Sequence, residues 1–248
     1  MKKVILSIIL LLFSFYYTNK VLEYIKNKDP IMIKIKEEYH KYEYNSINAK
    51  IDNDLIIPGK IGKKVDINKS YYKMKKLSYY TDSLYVYKNI IPKISINNQY
   101  DKLIIKGNPY NKNISIILKL NDLDLLNIIK KYPNLNIILP YQLLNNKELI
   151  NLKNNIIILE TNDYYENINY CYVEENFQKL CLDNKIYTIY PTFINTDLYY
   201  NTYINLENGK MFVYNITNEK NLEKVLLILS SIKNLGYKIV SIDELIKE

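Results

Sequence analysis

Several residue types on which enzymes depend are scarce in this chain. Its 248 residues include no arginine, one histidine (His40), one alanine (Ala49), two cysteines and five glycines. The glycines are scattered, so the chain has neither a glycine-rich phosphate loop nor a G-x-S-x-G nucleophile elbow. One histidine cannot provide the pair of imidazoles that a two-histidine metal site requires. These chemistries are therefore excluded within one chain, and His40 is expected to be a solvated helix residue.

The charge of the chain is unevenly distributed. All 34 basic residues are lysines, against 26 acidic residues, which gives a net charge of +8. Residues 1–100 contain 18 lysines and 9 acidic residues, whereas residues 101–248 contain 16 and 17. A basic segment near a membrane is attracted to anionic lipids or anionic polymers, although a solvated lysine surface is an equally simple explanation. No nucleic-acid partner is expected, because the chain lacks arginines for reading base edges and has the features of an exported protein.

The N-terminus has the pattern of a membrane-targeting segment. Met1-Lys2-Lys3 precedes an uncharged run of 14 residues, "VILSIILLLFSFYY" (Val4–Tyr17), and Lys20 follows it. The run is short for a spanning helix, which needs about 20 residues. No A-x-A cleavage site is possible, because Ala49 is the only alanine. We predict an uncleaved signal anchor in residues 1–22 that crosses the membrane once and leaves the C-terminal part extracytoplasmic; a buried strand or helix is the alternative.

The rest of the chain divides by composition into three segments. Residues 23–54 are polar and charged, and Pro30 interrupts them, which predicts a stalk that is not one continuous helix. Residues 55–106 contain a Pro58-Gly59 turn and mixed helical and strand patterns, typical of a small α+β leader. In residues 107–248, β-branched apolar runs alternate with helical patterns, which indicates an α/β domain.

The α/β domain is predicted to contain a parallel sheet covered by helices. Strands are predicted at residues 114–120, 136–140, 155–160, 186–193, 211–214 and 237–242, and helices at 122–132, 141–152, 174–183, 218–235 and 243–247. Thr217 is the predicted N-cap of the helix at 218–235, and Gly236 its C′ residue. In the leader, a helix over Asp66–Leu77 directs Tyr71, Tyr72 and Met74 towards an apolar contact, and strands are predicted at 83–87 and 102–105. About 140 residues are too few for a full (β/α)₈ barrel, so a reduced or irregular barrel is predicted.

The two cysteines, Cys171 and Cys181, are ten residues apart. If the segment between them is helical, a rise of ~1.5 Å per residue separates them by roughly 15 Å. That distance is too long for a disulfide. Two buried thiols are therefore predicted, although export would permit a disulfide, and CxxC-type metal chemistry is absent.

Several segments resemble the polysaccharide deacetylase (NodB-homology) family. Gly209–Glu248, which begins "GKMFVYNITNEKNLEKVLL", is similar to the last unit of that barrel, and Leu125–Leu144, "LLNIIKKYPNLNIILPYQLL", to its first helix and next strand. Lys147–Glu160 occupies the place of the following helix and strand. Ile57–Tyr80 and Tyr100–Asn108 are similar to the leader of membrane-anchored members from low-GC Gram-positive bacteria. The resemblance covers roughly residues 55–248 and implies a barrel of the glycoside hydrolase/deacetylase type.

The functional motifs of that family are missing. The resemblance implies a strand ending in T-F-D-D-G, with one Asp as general base and the next as metal ligand, but Lys119 and Leu120 occupy these places. The H-[ST]-x-x-H metal pair would follow Glu160, where the chain reads "TNDYY". The histidine general acid would lie near Tyr214-Asn215. We therefore predict no catalytic residue, no metal ligand and no cofactor, although the family norm is a divalent metal such as Zn²⁺.

Acidic and polar residues nevertheless follow two of the predicted strands. The carboxyl ends of parallel strands meet at one edge of a sheet, where such folds hold ligands. The candidate ligand-facing residues there are Asp122, Asp124, Glu160, Asn162, Asp163 and Tyr164. Four of them are carboxylates, which can bind Mg²⁺ or Ca²⁺. The simpler interpretation of Asp122, or of Asn121, is the N-cap of the helix that follows.

Two functions of different class agree with this sequence. The first is a catalytically degenerate deacetylase-like protein, a pseudoenzyme that binds or scaffolds cell-envelope glycan or an anionic envelope polymer outside the membrane. Tyrosines predicted near strand ends could stack on sugar rings: Tyr164, Tyr165, Tyr170, Tyr187 and Tyr190. The alternative is an active carbohydrate N- or O-deacetylase, a hydrolase of carbon–nitrogen, non-peptide bonds, that uses a carboxylate site.

Overall fold

The computed structural model describes residues 2–143, 149, 152–159, 169–172, 179–192, 194–195, 202–203 and 205–248. The chain divides into two compact units. Unit 1 comprises residues 1–46 and 61–91, and unit 2 comprises residues 47–60 and 92–248. Residues 47–60, from the end of the predicted stalk and the start of the leader, thus belong to the same unit as the predicted α/β domain.

Helices and strands are labelled in chain order. The helices are α1 (Lys2–Lys28), α2 (Pro30–Glu38), α3 (Ile67–Leu77), α4 (Leu126–Ile129), α5 (Lys179–Asp183), α6 (Glu219–Asn234) and α7 (Ile242–Leu245), with 3-10 turns at Tyr39–Tyr42, Asp82–Leu84 and Tyr141–Leu143. The strands are β1 (Lys50–Asp52), β2 (Leu55–Ile57), β3 (Gly62–Val65), β4 (Tyr87–Ile90), β5 (Leu103–Ile104), β6 (Asn113–Leu120), β7 (Asn136–Pro140), β8 (Ile156–Leu159), β9 (Tyr170–Tyr172), β10 (Thr188–Ile189), β11 (Ile194–Asn195), β12 (Met211–Ile216) and β13 (Lys238–Ile239).

The N-terminal helical segment of unit 1 breaks at Asp29, as Pro30 predicts. Pro30 is the first residue of α2, where its fixed φ and missing N–H are compatible with a helix start. The Oδ1 atom of Asp29 accepts the N–H of Ile31 at 2.9 Å and so caps α2. Its Oδ2 atom accepts hydrogen bonds from Lys75 Nζ at 2.5 Å and from the Tyr71 hydroxyl at 3.2 Å. One carboxylate therefore connects the start of α2 to α3.

This connection makes the stability of unit 1 dependent on pH. The Lys75 ammonium holds the pKa of Asp29 below its usual value, and hydrogen bonds from Ile31 and Tyr71 act in the same direction. Such a carboxylate stabilises the folded state above its unfolded pKa of about 3.9, and the contribution is lost as pH falls through the lower folded value. Asp29→Ala is therefore expected to reduce the free energy of unfolding by about 1–2 kcal/mol at pH 7, measured by urea denaturation.

The reduction caused by Asp29→Ala is expected to shrink as pH falls below the unfolded pKa of about 3.9, and to vanish below the lower folded pKa, where the wild-type carboxylate is protonated. Asp29→Asn is the matched control, because it keeps a capping oxygen and removes the charge. Its loss at pH 7 is expected to be smaller than that of the alanine variant. Losses that stay constant from pH 7 to pH 3 would contradict a role for the Asp29 charge.

Helix α3 packs one face into the apolar core of unit 1. Tyr71 and Met74 are buried there as predicted, beside Met32, Ile35 and Tyr85 among others. The expectation that Tyr72 shares this face is wrong, since its side chain is 57% exposed. Adjacent residues of a helix point about 100° apart, and Tyr72 falls on the side of α3 that carries the exposed Lys69, Lys73 and Lys76.

Helix α1 exposes a row of large apolar side chains. Each of the following is more than half exposed: Ile9, Leu10, Leu11, Leu12, Phe13, Phe15, Tyr16 and Tyr17. Within the described part of the chain, no helix combines the length and the apolarity that a membrane crossing requires. The insertion of this segment into a membrane stays a prediction.

Unit 2 is built on one mostly parallel sheet. Its strands pair in the order β1-β2-β5-β10-β9-β8-β7-β6-β12-β11, and β13 pairs with the start of β6. The pairs in this order are parallel except β1–β2. The predicted α/β class with a parallel sheet is confirmed. Among the strands that can be described, no pairing joins β1 to β11 and closes the path into a barrel.

The two faces of this sheet carry two separate apolar clusters. Leu118 and Leu120 of β6 face the cluster that contains the buried side of α6. Ile117 faces the other cluster, together with Ile138 of β7 and Ile157 of β8. A parallel sheet that is covered on both faces requires nearly continuous apolar strands, which is the pattern of β6, β7 and β8.

Helix α6 lies close to its predicted position, with one correction at its start. The N-cap is Asn218, whose side-chain oxygen accepts the N–H of Asn221 at 2.9 Å. Thr217 was the wrong residue, because its hydroxyl oxygen accepts the side-chain amide of Asn221 instead, at 3.0 Å. Gly236 follows the C-cap with φ of 80°, which confirms it as the C′ residue.

Cys171 and Cys181 form a disulfide, so the prediction of two thiols is wrong. That prediction assumed a helix between them. Cys171 lies on strand β9 and Cys181 in helix α5, so the two residues are not on one helix and the helical rise per residue does not give the distance between them. Their Cα atoms are 6.3 Å apart, within the usual range for a disulfide.

Candidate functional site

The carboxyl-terminal edge of the sheet is the place where parallel α/β folds hold ligands. At this edge, Lys119 of β6 and Asn215 of β12 are register partners on adjacent strands. Lys119 is also in register with Ile138, and Ile138 with Ile157, so the four side chains share one face of the sheet. Lys119 is half-buried and Asn215 is exposed. The edge therefore presents an ammonium group beside a carboxamide, with apolar neighbours on β7 and β8.

Leu120, the next residue of β6, points to the opposite face. It is 2% exposed, in the cluster that contains the buried side of α6. Successive side chains of a strand alternate between faces, and in this chain Leu120 faces the apolar cluster whereas Lys119 lies on the other face. Position 120 is therefore part of the packing, and a carboxylate there would enter an apolar cluster.

The donor groups of this edge do not fit a divalent metal ion. An ammonium has no lone pair and repels a cation, and the side chain of Leu120 has no donor atom. His40, the single histidine, is exposed in unit 1, with its ring centroid 3.7 Å from that of Tyr39. In the parts of the chain that the structure describes, no three His, Cys, Asp or Glu side chains are grouped as metal ligands. Lys119 and Leu120 thus provide no ligand for metal-assisted hydrolysis, and Asn215 offers a single amide oxygen.

Asp122 and Asp124 are exposed in one turn just beyond β6. The Oδ1 atom of Asp122 accepts the N–H of Asp124 at 3.1 Å. Helix α4 begins only at Leu126, so neither Asn121 nor Asp122 is its N-cap, which corrects the prediction. The turn closed by Asp122 takes the residues that would have formed the first helical turn. The other four candidate residues, Glu160, Asn162, Asp163 and Tyr164, lie outside the described residues.

The tyrosines predicted near strand ends have different environments. Tyr170 is buried at the start of β9, and its hydroxyl donates to Asp243 Oδ1 at 2.5 Å. Burial raises the pKa of Tyr170, so it is a neutral core residue and not a stacking surface for sugars. Tyr187 precedes β10 and lies against Tyr100, with ring centroids 4.7 Å apart. Tyr190 directly follows β10 at the carboxyl edge and is half-buried. Tyr164 and Tyr165 lie outside the described residues.

Tyr214, near the place expected for a general acid, belongs to the core. It is fully buried, and its hydroxyl lies 2.6 Å from Thr202 Oγ1. Burial raises the pKa of Tyr214 to about 12, so its phenol is neutral at physiological pH. Asn215 points to the other face, beside Lys119. The signal that separates these two residues is the period-two alternation along β12.

Comparison with solved structures finds the same architecture in a CE4 family pseudoenzyme and its mutants. BA3943, a CE4 family pseudoenzyme from Bacillus anthracis, matches 89% of this chain and 96% of its own, with a TM-score of 0.64 and 19% identity. A BA3943 mutant with restored enzymatic activity matches with a TM-score of 0.65 and 18% identity, over 89% of this chain and 99% of its own.

Sequence comparison reaches a smaller part of the chain. The uncharacterised protein YlxY of Bacillus subtilis is 34% identical over 84 residues, which are 34% of this chain and 26% of YlxY. The match thus spans about a quarter of that curated relative. No family model matches the chain. At 18–19% identity, the solved structures establish the architecture alone. The chain therefore has the fold of a CE4 family pseudoenzyme, the NodB-type deacetylase fold that its sequence resembles.

Proposed function

We propose that this chain is a catalytically degenerate polysaccharide deacetylase-like protein that binds cell-envelope glycan at the extracytoplasmic face of a membrane. The observation that carries the proposal is the pair Lys119 and Asn215 at the carboxyl edge of the sheet. In the resembled family, this edge holds carboxylates and a metal. In this chain the same edge of the sheet is present, and the side chains of Lys119 and Asn215 are suited to binding a ligand and not to metal-assisted hydrolysis.

The side chains of the edge are suited to a sugar ligand. The Lys119 ammonium and the Asn215 carboxamide can donate hydrogen bonds to hydroxyl, carbonyl or carboxylate oxygens. Tyr190, at the carboxyl end of β10, is half-buried and can offer a ring face to a pyranose. The likeness to BA3943 supports the proposal, because that pseudoenzyme has the same architecture.

The exposed apolar row of α1 and the disulfide of unit 2 support an extracytoplasmic location. Disulfides persist in oxidising compartments and are rare in the cytosol, and Cys171 is bonded to Cys181. An uncharged run of 14 residues behind two lysines is typical of a signal anchor. In this proposal, α1 attaches the chain to the membrane and unit 2 lies outside it.

The proposal is tested with a double variant of the edge. Lys119→Ala/Asn215→Ala removes two hydrogen-bond donors, each with a net contribution of about 0.5–1.5 kcal/mol. We therefore expect the full chain in mild detergent to bind roughly tenfold more weakly to Gram-positive sacculi stripped of teichoic polymers. Binding is measured by co-sedimentation over a range of sacculus concentrations.

The matched control is Lys233→Ala/Asn234→Ala. Both residues are exposed at the end of α6, just before β13 pairs with the amino end of β6, so they lie away from the carboxyl edge. This variant removes the same two residue types and is expected to bind sacculi as the wild type does. Wild-type affinity in the Lys119/Asn215 variant would show that the edge does not bind glycan.

A further inference from the structure

We propose that one face of α3 binds the headgroups of an anionic phospholipid bilayer; this rests on the proposed attachment of α1 to a membrane. The face consists of Lys69, Tyr72, Lys73 and Lys76 and is called the α3 stripe. These residues follow the i, i+3, i+4, i+7 spacing, so they form one side of the helix. All four are exposed, whereas Ser70, Tyr71 and Met74 on the opposite side are buried.

The net charge of the chain is confined to the unit that carries this stripe. Unit 1 contains 15 lysines and 7 acidic residues, a net charge of +8, whereas unit 2 contains 19 of each. On α3, Lys75 is paired with Asp29. Across the residues that the structure describes, no ion pair engages the side chains of Lys69, Lys73 or Lys76. Asp66 lies near enough to attract Lys69 but forms its ion pair with Lys88. The stripe therefore offers three lysines outside any ion pair and one aromatic ring to an anionic surface.

Two contacts hold α3 at the C-terminal end of α1. The Nζ atom of Lys26, in the last turn of α1, donates to Asn68 Oδ1 at 3.0 Å. One residue beyond the end of α1, Asp29 accepts from Lys75 Nζ at 2.5 Å. Lys26 lies nine residues after Tyr17, the last residue of the uncharged run, which is about 14 Å along a helix. If a bilayer holds the run up to Tyr17, its surface lies about 14 Å from Lys26 along the helix. A lysine side chain and a Debye length of about 8–10 Å together span that distance, so the charges of unit 1 can act on the bilayer.

The end of the uncharged run and the residues that follow it also have the composition of a membrane interface. Tyr16, Tyr17 and Tyr24 are exposed there, with Lys20 between them. The Lys20 ammonium lies 5.9 Å from the centroid of the Tyr16 ring. Tyrosine and lysine are enriched where a helix leaves the hydrocarbon layer. Once α1 is inserted, the stripe stays at high effective concentration next to headgroups, which favours a bilayer over a soluble polyanion as its partner.

The test measures partitioning of the full chain into two kinds of vesicle by flotation. One kind is phosphatidylcholine alone, and the other contains 30% phosphatidylglycerol. Each basic residue near an acidic surface strengthens binding by roughly fivefold. Lys69→Gln/Lys73→Gln/Lys76→Gln is therefore expected to lower the phosphatidylglycerol-to-phosphatidylcholine partition ratio by up to roughly 100-fold. Partitioning into phosphatidylcholine alone is expected to stay unchanged, because α1 is intact.

Lys220→Gln/Lys224→Gln/Lys233→Gln on α6 is the matched control. It removes the same charge from unit 2 and is expected to keep the wild-type partition ratio. A partition ratio that falls equally in both variants, or in neither, would overturn the proposal that the α3 stripe binds anionic lipid. If the wild-type chain does not partition into phosphatidylcholine vesicles, the proposal that α1 attaches the chain to a membrane is overturned instead. If the stripe variant loses binding to soluble teichoic acid but keeps the wild-type phosphatidylglycerol-to-phosphatidylcholine partition ratio, the proposal that the stripe binds lipid headgroups is overturned.

Discussion

Leu120→Asp is expected to lower the free energy of unfolding of unit 2 by more than about 4 kcal/mol, or to prevent its folding. The side chain of Leu120 is 2% exposed in the apolar cluster that contains the buried side of α6. The substitution removes apolar burial and puts a charged group among aliphatic side chains. Such a loss approaches the whole stability of a typical domain. It is measured by chemical denaturation at pH 7, followed by circular dichroism.

Lys119→Asp is the control for this experiment. Lys119 is one residue away on the same strand, half-buried on the opposite face, so its substitution is expected to cost less than half as much. The Leu120→Asp variant is expected to regain stability below about pH 5, because a buried carboxyl binds a proton more readily. Equal losses in the two variants would contradict the assignment of their faces. The expected result means that the packing of β6 excludes the second family carboxylate.

Gly209→Val is expected to lower the free energy of unfolding by more than about 3 kcal/mol. Gly209 has φ of 77°, a conformation that a β-branched residue rarely adopts. A Cβ atom at this position would lie 2.5 Å from the carbonyl oxygen of Gly107, which is backbone and cannot turn away. The carbonyl of Gly209 also accepts the N–H of Gly107 at 2.7 Å. This contact lies two residues before β12, the strand that carries Asn215.

Gly236→Val separates the steric overlap from the backbone strain. Gly236 has a similar φ of 80°, but the nearest atom to a Cβ at this position would be Lys112 Nζ, at 3.2 Å, on a flexible side chain. The expected loss is about 1–2 kcal/mol, from strain alone. Denaturant unfolding of both variants measures the difference. A loss at Gly236 that equals the loss at Gly209 would show that the contact with Gly107 is unimportant.

The elements that the sequence predicted well are those whose periodicity is long and uninterrupted. The strand at Asn136–Pro140 has its predicted bounds, and β6 and α6 each lie within one residue of theirs. In these segments the apolar pattern and the local propensity agree, so packing has little to change. The parallel sheet followed from the same alternation of strands and helices.

The elements that the sequence missed depend on distant partners. β1, β2 and β9 are three-residue strands without a long apolar run, and each is defined by pairing with another strand. Predicted elements also proved shorter, because α4 has four residues and β10 has two. The strand predicted at 83–87 is instead a 3-10 turn at Asp82–Leu84, and β4 begins at Tyr87. Local composition does not encode which segments far apart in the chain will pair.

The sequence predicted where the candidate site lies in the fold, but not which side chains lie next to each other there. The carboxyl edge follows from parallel topology, and the missing family motifs at Lys119 and Leu120 can be read directly from the chain. The pairing of Lys119 with Asn215 joins residues 96 positions apart, which no local pattern specifies. The disulfide between Cys171 and Cys181 was mispredicted for a related reason, since it depends on β9 being a strand.

One experiment tests the proposed function most directly. The wild-type chain is mixed with Gram-positive sacculi stripped of teichoic polymers, at low and high salt and with several divalent metals, and both its sedimentation and the release of acetate are measured. We expect retention that persists at high salt, where long-range attraction through lysines is screened, and no acetate above the level without protein. Metal-dependent release of acetate, or the absence of retention on stripped sacculi, would contradict a non-catalytic glycan-binding protein.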